Sequence, residues 1–308
     1  MTYDTLQVYD RYDPTRTTSL RNQFASKMNG RFREIAMVIR QAVVERDCFG
    51  LQEGPVTMQM TPPGWRQFDF AMDAQKIEAF VVWLYEQVEK GILELRYIPQ
   101  VGAAWQEPWT NIYVWDSYKR GVIRARQELI RAGYSVPTME ATGGIEASMS
   151  TPFHIDRVGV LFTRVFADLK GITDAMAHHI GRVLAQGMID GDGPRLIARK
   201  LISVINGKDV GELGIRDSLG RFIPAKRRAE LLARTEIIRA HHLATIQEYR
   251  NWGAVGVKVR AEWATAGDDR VCARCASLEG VVYTLDAIEA MIPLHPLCRC
   301  IALPVISK

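Results

Sequence analysis

Apolar residues recur at three- and four-residue steps over most of this chain, the spacing that lines one face of a helix. Leu20, Phe24, Met28, Phe32, Ile35, Ile39 and Ala42 make the first such stripe, which runs to about Arg46. Arg21, Lys27, Arg31, Arg33 and Arg40 lie mostly off it and predict a solvated face. A second stripe, Ile77, Val81, Leu84, Val88 and Ile92, starts at Asp73 as an N-cap and ends near Gly91. Thr110 predicts the cap of a third helix running to Gly133, with Ile112, Trp115, Val122 and Leu129 as its buried face. From Phe153 to about Met188 the pattern continues through Leu161, Val165, Leu169, Ile172, Met176, Ile180 and Leu184, with Gly171 and Gly181 arguing against one unbroken rod. Gly193-Pro194 opens a short helix to Ile205, since proline loses nothing at a first helical position. Pro224 starts a last long helix through Leu231, Ile237, Ile238, Leu243, Ile246 and Tyr249 to Gly253.

Only then does the period change. Val257, Val259, Ala261 and Trp263 alternate with Lys258, Arg260 and Glu262, the mark of a half-buried strand. Val281-Val282-Tyr283 and Ile301-Ala302-Leu303 predict two more short strands. Proline and glycine place loops at 50–64, 96–109 and 206–223. The small, polar stretch 135–151 reads as a linker. The expected organisation is an N-terminal helical region (1–134), the linker (135–151), a helical body (152–253) and a C-terminal metal-binding α+β module (254–308). The fold class is mainly α: long amphipathic helices with a small zinc-knuckle-like end.

Composition changes this picture little. The chain has 308 residues, 47% hydrophobic and 24% charged, which suits a folded globular protein. Its 39 basic residues face 35 acidic ones, and a net charge of +4 is too weak to demand a nucleic-acid partner. No apolar run approaches the roughly 18 residues that span a bilayer, so no membrane role is expected. The start, Met1-Thr2-Tyr3-Asp4, has neither a charged nor an apolar leader region, which predicts folding in a reducing cytoplasm. There, paired cysteines more often hold metal than form disulfides.

The cysteines are the informative chemistry. Four of the five lie near the end, as Cys272-Ala-Arg-Cys275 and His295-Pro-Leu-Cys298-Arg-Cys300. A Cys-x2-Cys turn at the tip of a hairpin can chelate one ion with two thiolates, and tetrahedral zinc needs only two further donors. His295, Cys298 and Cys300 offer three. The spacing leaves open a four-thiolate shell, with Cys298 and Cys300 on the same side of a strand, or three thiolates with one imidazole. A structural zinc can supply on the order of 10 kcal/mol of folding free energy to a unit whose own core is small. Buried free thiols, disulfides and a catalytic ion are the competing readings. Cys48 stands alone and reads as a core filler.

Catalytic signatures are missing. No histidine is followed by x-Glu, as a zinc deaminase needs, and Val271 rather than proline precedes Cys272. The doublets His178-His179 and His241-His242 lack the Glu and spacing of a metalloprotease and read as polar helix faces. There is no phosphate-binding glycine loop and no Gly-x-Ser-x-Gly elbow. Arg234-Thr235-Glu236 with Arg239 and His241 is the densest polar patch. It reads as a buried or interfacial ion pair joining the last helix to the metal-bearing tail.

Taken together, Ala233-Arg234-Thr235-Glu236, Trp263 to Thr265, Asp268-Asp269-Arg270-Val271-Cys272-Ala273-Arg274-Cys275, Leu278-Glu279-Gly280 and His295-Pro296-Leu297-Cys298-Arg299-Cys300 resemble the phage Mu F-like minor head (head morphogenesis) family. The resemblance covers about 225–303, and Ala273 departs from it, since members often carry proline there. It implies a non-enzymatic minor capsid protein of a tailed bacteriophage that works with portal or major capsid protein, in the capsid interior or at the portal vertex, with packaged DNA as a further contact. The alternatives are a zinc-dependent nuclease or transferase using Glu236 or His295, and a DNA-binding or ejection protein using Arg227, Arg228, Arg270 and Arg274.

Overall fold

A computed structural model of the chain describes residues 13–51, 66–68, 70–95, 108–207, 216, 221–254 and 256–306. The loops expected at 50–64, 96–109 and 206–223 lie largely outside these. The helices are α1 (Thr18–Arg40), α2 (Asp73–Glu86), α3 (Trp109–Arg131), α4 (Gly144–Met149), α5 (Pro152–Ile189), α6 (Pro194–Asn206), α7 (Ala225–Ala254), α8 (Ala273–Ala276) and α9 (Leu285–Glu289). The strands are β1 (Val259–Ala264), β2 (Val282–Tyr283) and β3 (Ile301–Ile306). The mainly helical reading with a small C-terminal sheet therefore holds. Single π-helical turns extend α1 over Gln41–Glu45 and α2 over Gln87–Ile92. α5 is continuous across Gly171 and Gly181, because the apolar stripe is buried along its length and outweighs the weak helix preference of glycine. Residues 135–151 contain a 3-10 turn at Glu140–Thr142 and the short α4. Among the described residues no helix is long and apolar enough to cross a membrane.

The chain divides into two compact units, one of residues 1–25, 98–165 and 231–308, the other of 26–97 and 166–230. In the second unit, Phe32, Ile35 and Ile39 of α1 are fully buried, as are Leu169, Ile180 and Leu184 of α5. Phe49, Phe68, Phe80 and Trp83 pack tilted or edge-to-face at ring separations of 5.0 to 5.9 Å. Cys48 is buried just past the first π-helical turn, and burial raises its thiol pKa, as suits a core filler.

In the first unit, α3 and α7 cross closely. A Cβ on Gly121 would come within 2.4 Å of the His241 carbonyl oxygen, so glycine is required there. Ser117 Oγ donates to the Ile237 carbonyl at 2.6 Å in the same crossing. The sheet order is β2-β1-β3, all antiparallel, with Ala261 opposite Tyr283 and Pro304. Ala261 and Trp263 of β1 are fully buried against Leu129 of α3 and Ile238, Ile246 and Tyr249 of α7. The short strands thus share a core with two long helices and do not depend on a small one of their own.

Glu248 is the polar centre of this unit. Its Oε1 accepts from Arg126 Nε at 2.9 Å, Arg126 Nη2 at 2.7 Å and Trp252 Nε1 at 2.8 Å, while Oε2 lies 3.6 Å from His154 Nε2. His154 Nδ1 pairs in turn with the Tyr118 hydroxyl at 2.9 Å. Burial alone would push the Glu248 carboxyl up, but bonds from His154, Trp252 and Arg126 outweigh it and hold the pKa below its ordinary value. Removing one member of a buried pair strands the other without solvent. Glu248→Ala is expected to cost about 3–5 kcal/mol in urea unfolding followed by circular dichroism. A loss below about 1 kcal/mol would show that Arg126 finds equivalent partners without it.

Candidate metal centre

The first cysteine pair lies between β1 and β2, as the alternation predicts. Gly280 N donates to the Trp263 carbonyl and Trp263 N to the Val281 carbonyl, both at 2.9 Å, so the hairpin closes below the pair. Cys272 sits at the N-cap of α8, and its sulfur accepts from the Cys275 backbone N–H at 3.4 Å. Cys272 is exposed and Cys275 is buried. The second cluster follows α9. Cys298 and Cys300 are both buried in the irregular run just before β3, so neither stands on a strand.

Several contacts position this second loop. Arg250 of α7 donates to both Glu289 oxygens at 2.8 and 2.9 Å and to Asp286 at 2.6 Å, and Arg157 of α5 also pairs with Glu289. His242 Nε2 meets the Ile288 carbonyl at 3.1 Å. Leu297 N donates to Thr235 Oγ1 at 3.3 Å. Within the loop, Cys298 N closes a turn onto the His295 carbonyl at 3.1 Å.

The result brings all five predicted donors together. His295 Nε2 lies 3.3 Å from Cys272 Sγ and 3.2 Å from Cys275 Sγ. Cys272, Cys275 and His295 form one triad and Cys275, Cys298 and Cys300 a second, with donor atoms inside each within 4.8 Å of one another. Cys275 belongs to both. His295 Nδ1 is 2.8 Å from the Pro296 carbonyl oxygen. An Nδ1–H donated there leaves Nε2 unprotonated and facing sulfur, the tautomer that ligates metal. The thiols also interact. Bonds from the Cys300 thiol and backbone pull Cys298 down to about 5, while burial and the Cys298 charge push Cys275 up to about 12. Cys300 is raised as well, by its bond to Cys298 and by burial. Crowded thiols that cannot all ionise alone suit a cation that neutralises them together. The cluster can hold a metal ion.

Asp268 and Arg299 are the residues whose pairing spacing did not reveal. Asp268 lies in the turn that leads into Cys272. It accepts from Arg299 Nη1 at 2.8 Å and Nη2 at 2.5 Å, and from Arg270 Nη2 at 2.7 Å. This bidentate pair joins the first cysteine loop to the second, where Arg299 stands between Cys298 and Cys300. Opposite charges flanking each cluster were the available signal.

The other polar residues fall outside the cluster. Glu236 is buried and accepts from Arg239 at 3.1 Å and Arg164 at 3.3 Å, so it is an ion pair to α5, while the link to the tail runs through Thr235. His241 and His242 are buried, which corrects their reading as a polar face, and burial lowers both pKa values, His242 to about 4. They pack in the close α3–α7 crossing and against α9, where a charge would be costly. His178 is exposed and His179 half-buried, as a polar face requires.

A helical chain whose terminal sheet carries a Cys/His cluster pinned to its last long helix defines the class. Residues 178–303 match the family described as Phage Mu protein F like protein, which bears out the resemblance and extends it upstream into α5 and α6. No curated protein and no solved structure matches the chain.

The Asp268 carboxyl is held well below its usual range, first by the Arg299 bonds. A depressed carboxyl contributes stability above its unfolded pKa of about 3.9 and loses it as pH falls through the lower folded value. Asp268→Asn is therefore expected to lower thermal stability at neutral pH, with the gap to wild type closing as pH drops below about 4. A gap that stays constant down the acid range would contradict this role.

Proposed function

We propose that the chain is a minor head protein of a tailed bacteriophage, non-enzymatic, with a structural zinc in its C-terminal tail. The family match over residues 178–303 carries this reading, because it spans all five donors and the α7 motif that seats them. Cys272, Cys275 and His295 would hold the ion with one thiol from Cys298 or Cys300. Bound there, zinc would cross-link the two loops and add folding free energy to them.

Donor count supports a structural role. Tetrahedral zinc has four positions, and two adjoining triads that share Cys275 offer enough sulfur and imidazole donors to fill them without a reacting water. Glu236 is already engaged by two arginines, and His295 already faces two sulfurs. Neither is placed to act as a free base. In the head, the protein would work with portal or major capsid protein at the capsid interior or portal vertex after folding in the host cytoplasm. Packaged DNA is the further contact that this setting supplies.

Elemental analysis of purified protein is expected to find one zinc per chain. Cys272→Ser should lose the metal and open residues 265–300 to limited proteolysis while the second unit stays resistant. Metal-free protein with four free tail thiols and an unchanged cleavage pattern would sink the zinc assignment. The head assignment has a separate test. The tagged chain should co-purify with portal or major capsid protein from assembling particles and be located in a reconstruction of the intact head. Particles lacking the chain would refute it.

A further inference from the structure

We propose that the open groove between the C-terminal end of α1 and α6 docks an acidic amphipathic helix of a partner protein. The groove encloses about 810 Å³. Its floor is apolar, formed by Val44, Ala198 and Ile202, and its cations are Arg40, Arg195 and Arg199. All belong to the second unit, where α6 packs against the π-helical turn that ends α1.

Charge complementarity identifies the occupant. Arg195, Arg199 and Ile202 recur at four- and three-residue steps, so one face of α6 presents two cations and an apolar side chain together. Among the described residues, Arg195 and Arg199 are exposed and make no ion pair. Arg40 reaches only Glu45, at 3.7 Å, with 70% and 54% of the two side chains exposed, a pairing of little strength. Two cations with no anion and a third held only at a distance by Glu45 ask for a negative partner. Phosphate backbone would satisfy the cations but gain nothing from Val44, Ala198 and Ile202. A helix carrying Leu or Ile at three- and four-residue steps, flanked by Glu or Asp, satisfies both floor and rim. Its acidic residues would also speed and orient encounter.

The test uses the purified full chain and a fluorescent synthetic helical peptide with a leucine stripe flanked by glutamates, followed by anisotropy. Saturable binding is expected, weakened about tenfold or more in R195E/R199E, less in R195Q/R199Q, and absent when the peptide's glutamates are replaced by lysines. Circular dichroism verifies that both variants fold. No saturable binding, equal binding to wild type and R195E/R199E, or displacement of the peptide by duplex DNA would overturn the proposal. None of these results bears on whether the chain sits in a phage head.

Discussion

The bidentate pair between Asp268 and Arg299 is the interaction on which the Cys/His end of the chain depends. The two cysteine loops come from opposite sides of β2 and α9 and have no reason in local chain geometry to meet. A carboxylate that accepts both arms of a guanidinium fixes their separation and their relative orientation. The Asp268 side chain is only 6% exposed, so water competes poorly for it. Arg270 occupies the remaining lone pairs, which removes the penalty that a half-satisfied buried carboxylate would carry. The donors are thereby assembled by protein contacts, and an arriving ion meets a site that is close to formed.

The second loop is also held from α7, a helix that is polar for its burial. Glu236, His241, His242, Thr245 and Glu248 are all buried along it. Three of them are placed against a particular element: Glu236 against Arg164 of α5, His242 against the end of α9, Glu248 against Arg126 of α3. A helix buried on nearly every side has no solvated stripe to display. Its polar groups then set register with neighbours, since a shift along the axis would leave them unpaired in a dry core.

This explains what could be read from the chain and what could not. α1, α5 and α6 were legible because a single apolar face alternates with a charged one, and the strands because Val259, Ala261 and Trp263 alternate with Arg260 and Glu262. The donor set was legible because cysteine and histidine spacing is short-range information. The pairings of Glu248 with Arg126 and of Asp268 with Arg299 were not, since each joins residues far apart in the chain, and local spacing says nothing about which distant charge will answer. His241 and His242 were misread for the same reason. A doublet of polar residues on a helix signals solvent unless something covers both sides, and α3 and α9 do so only in the folded chain.

The shared core also alters what a metal would be for. Were the sheet an isolated knuckle, zinc would have to supply most of its folding free energy. Here Trp263, Ile288, Ile292 and Ala302 are already buried against α3 and α7, and β3 is further tied to Tyr134 and Tyr249 through the carbonyls of Val305 and Ala302. What remains unfavourable is local: three buried thiols beside one another, with Cys275 driven up to about 12 by burial and by the neighbouring Cys298 charge. A cation would resolve that conflict by stabilising several thiolates at once, with release of their protons. Its contribution would therefore be concentrated in the two cysteine loops, 268–275 and 295–300, where the thiols stand.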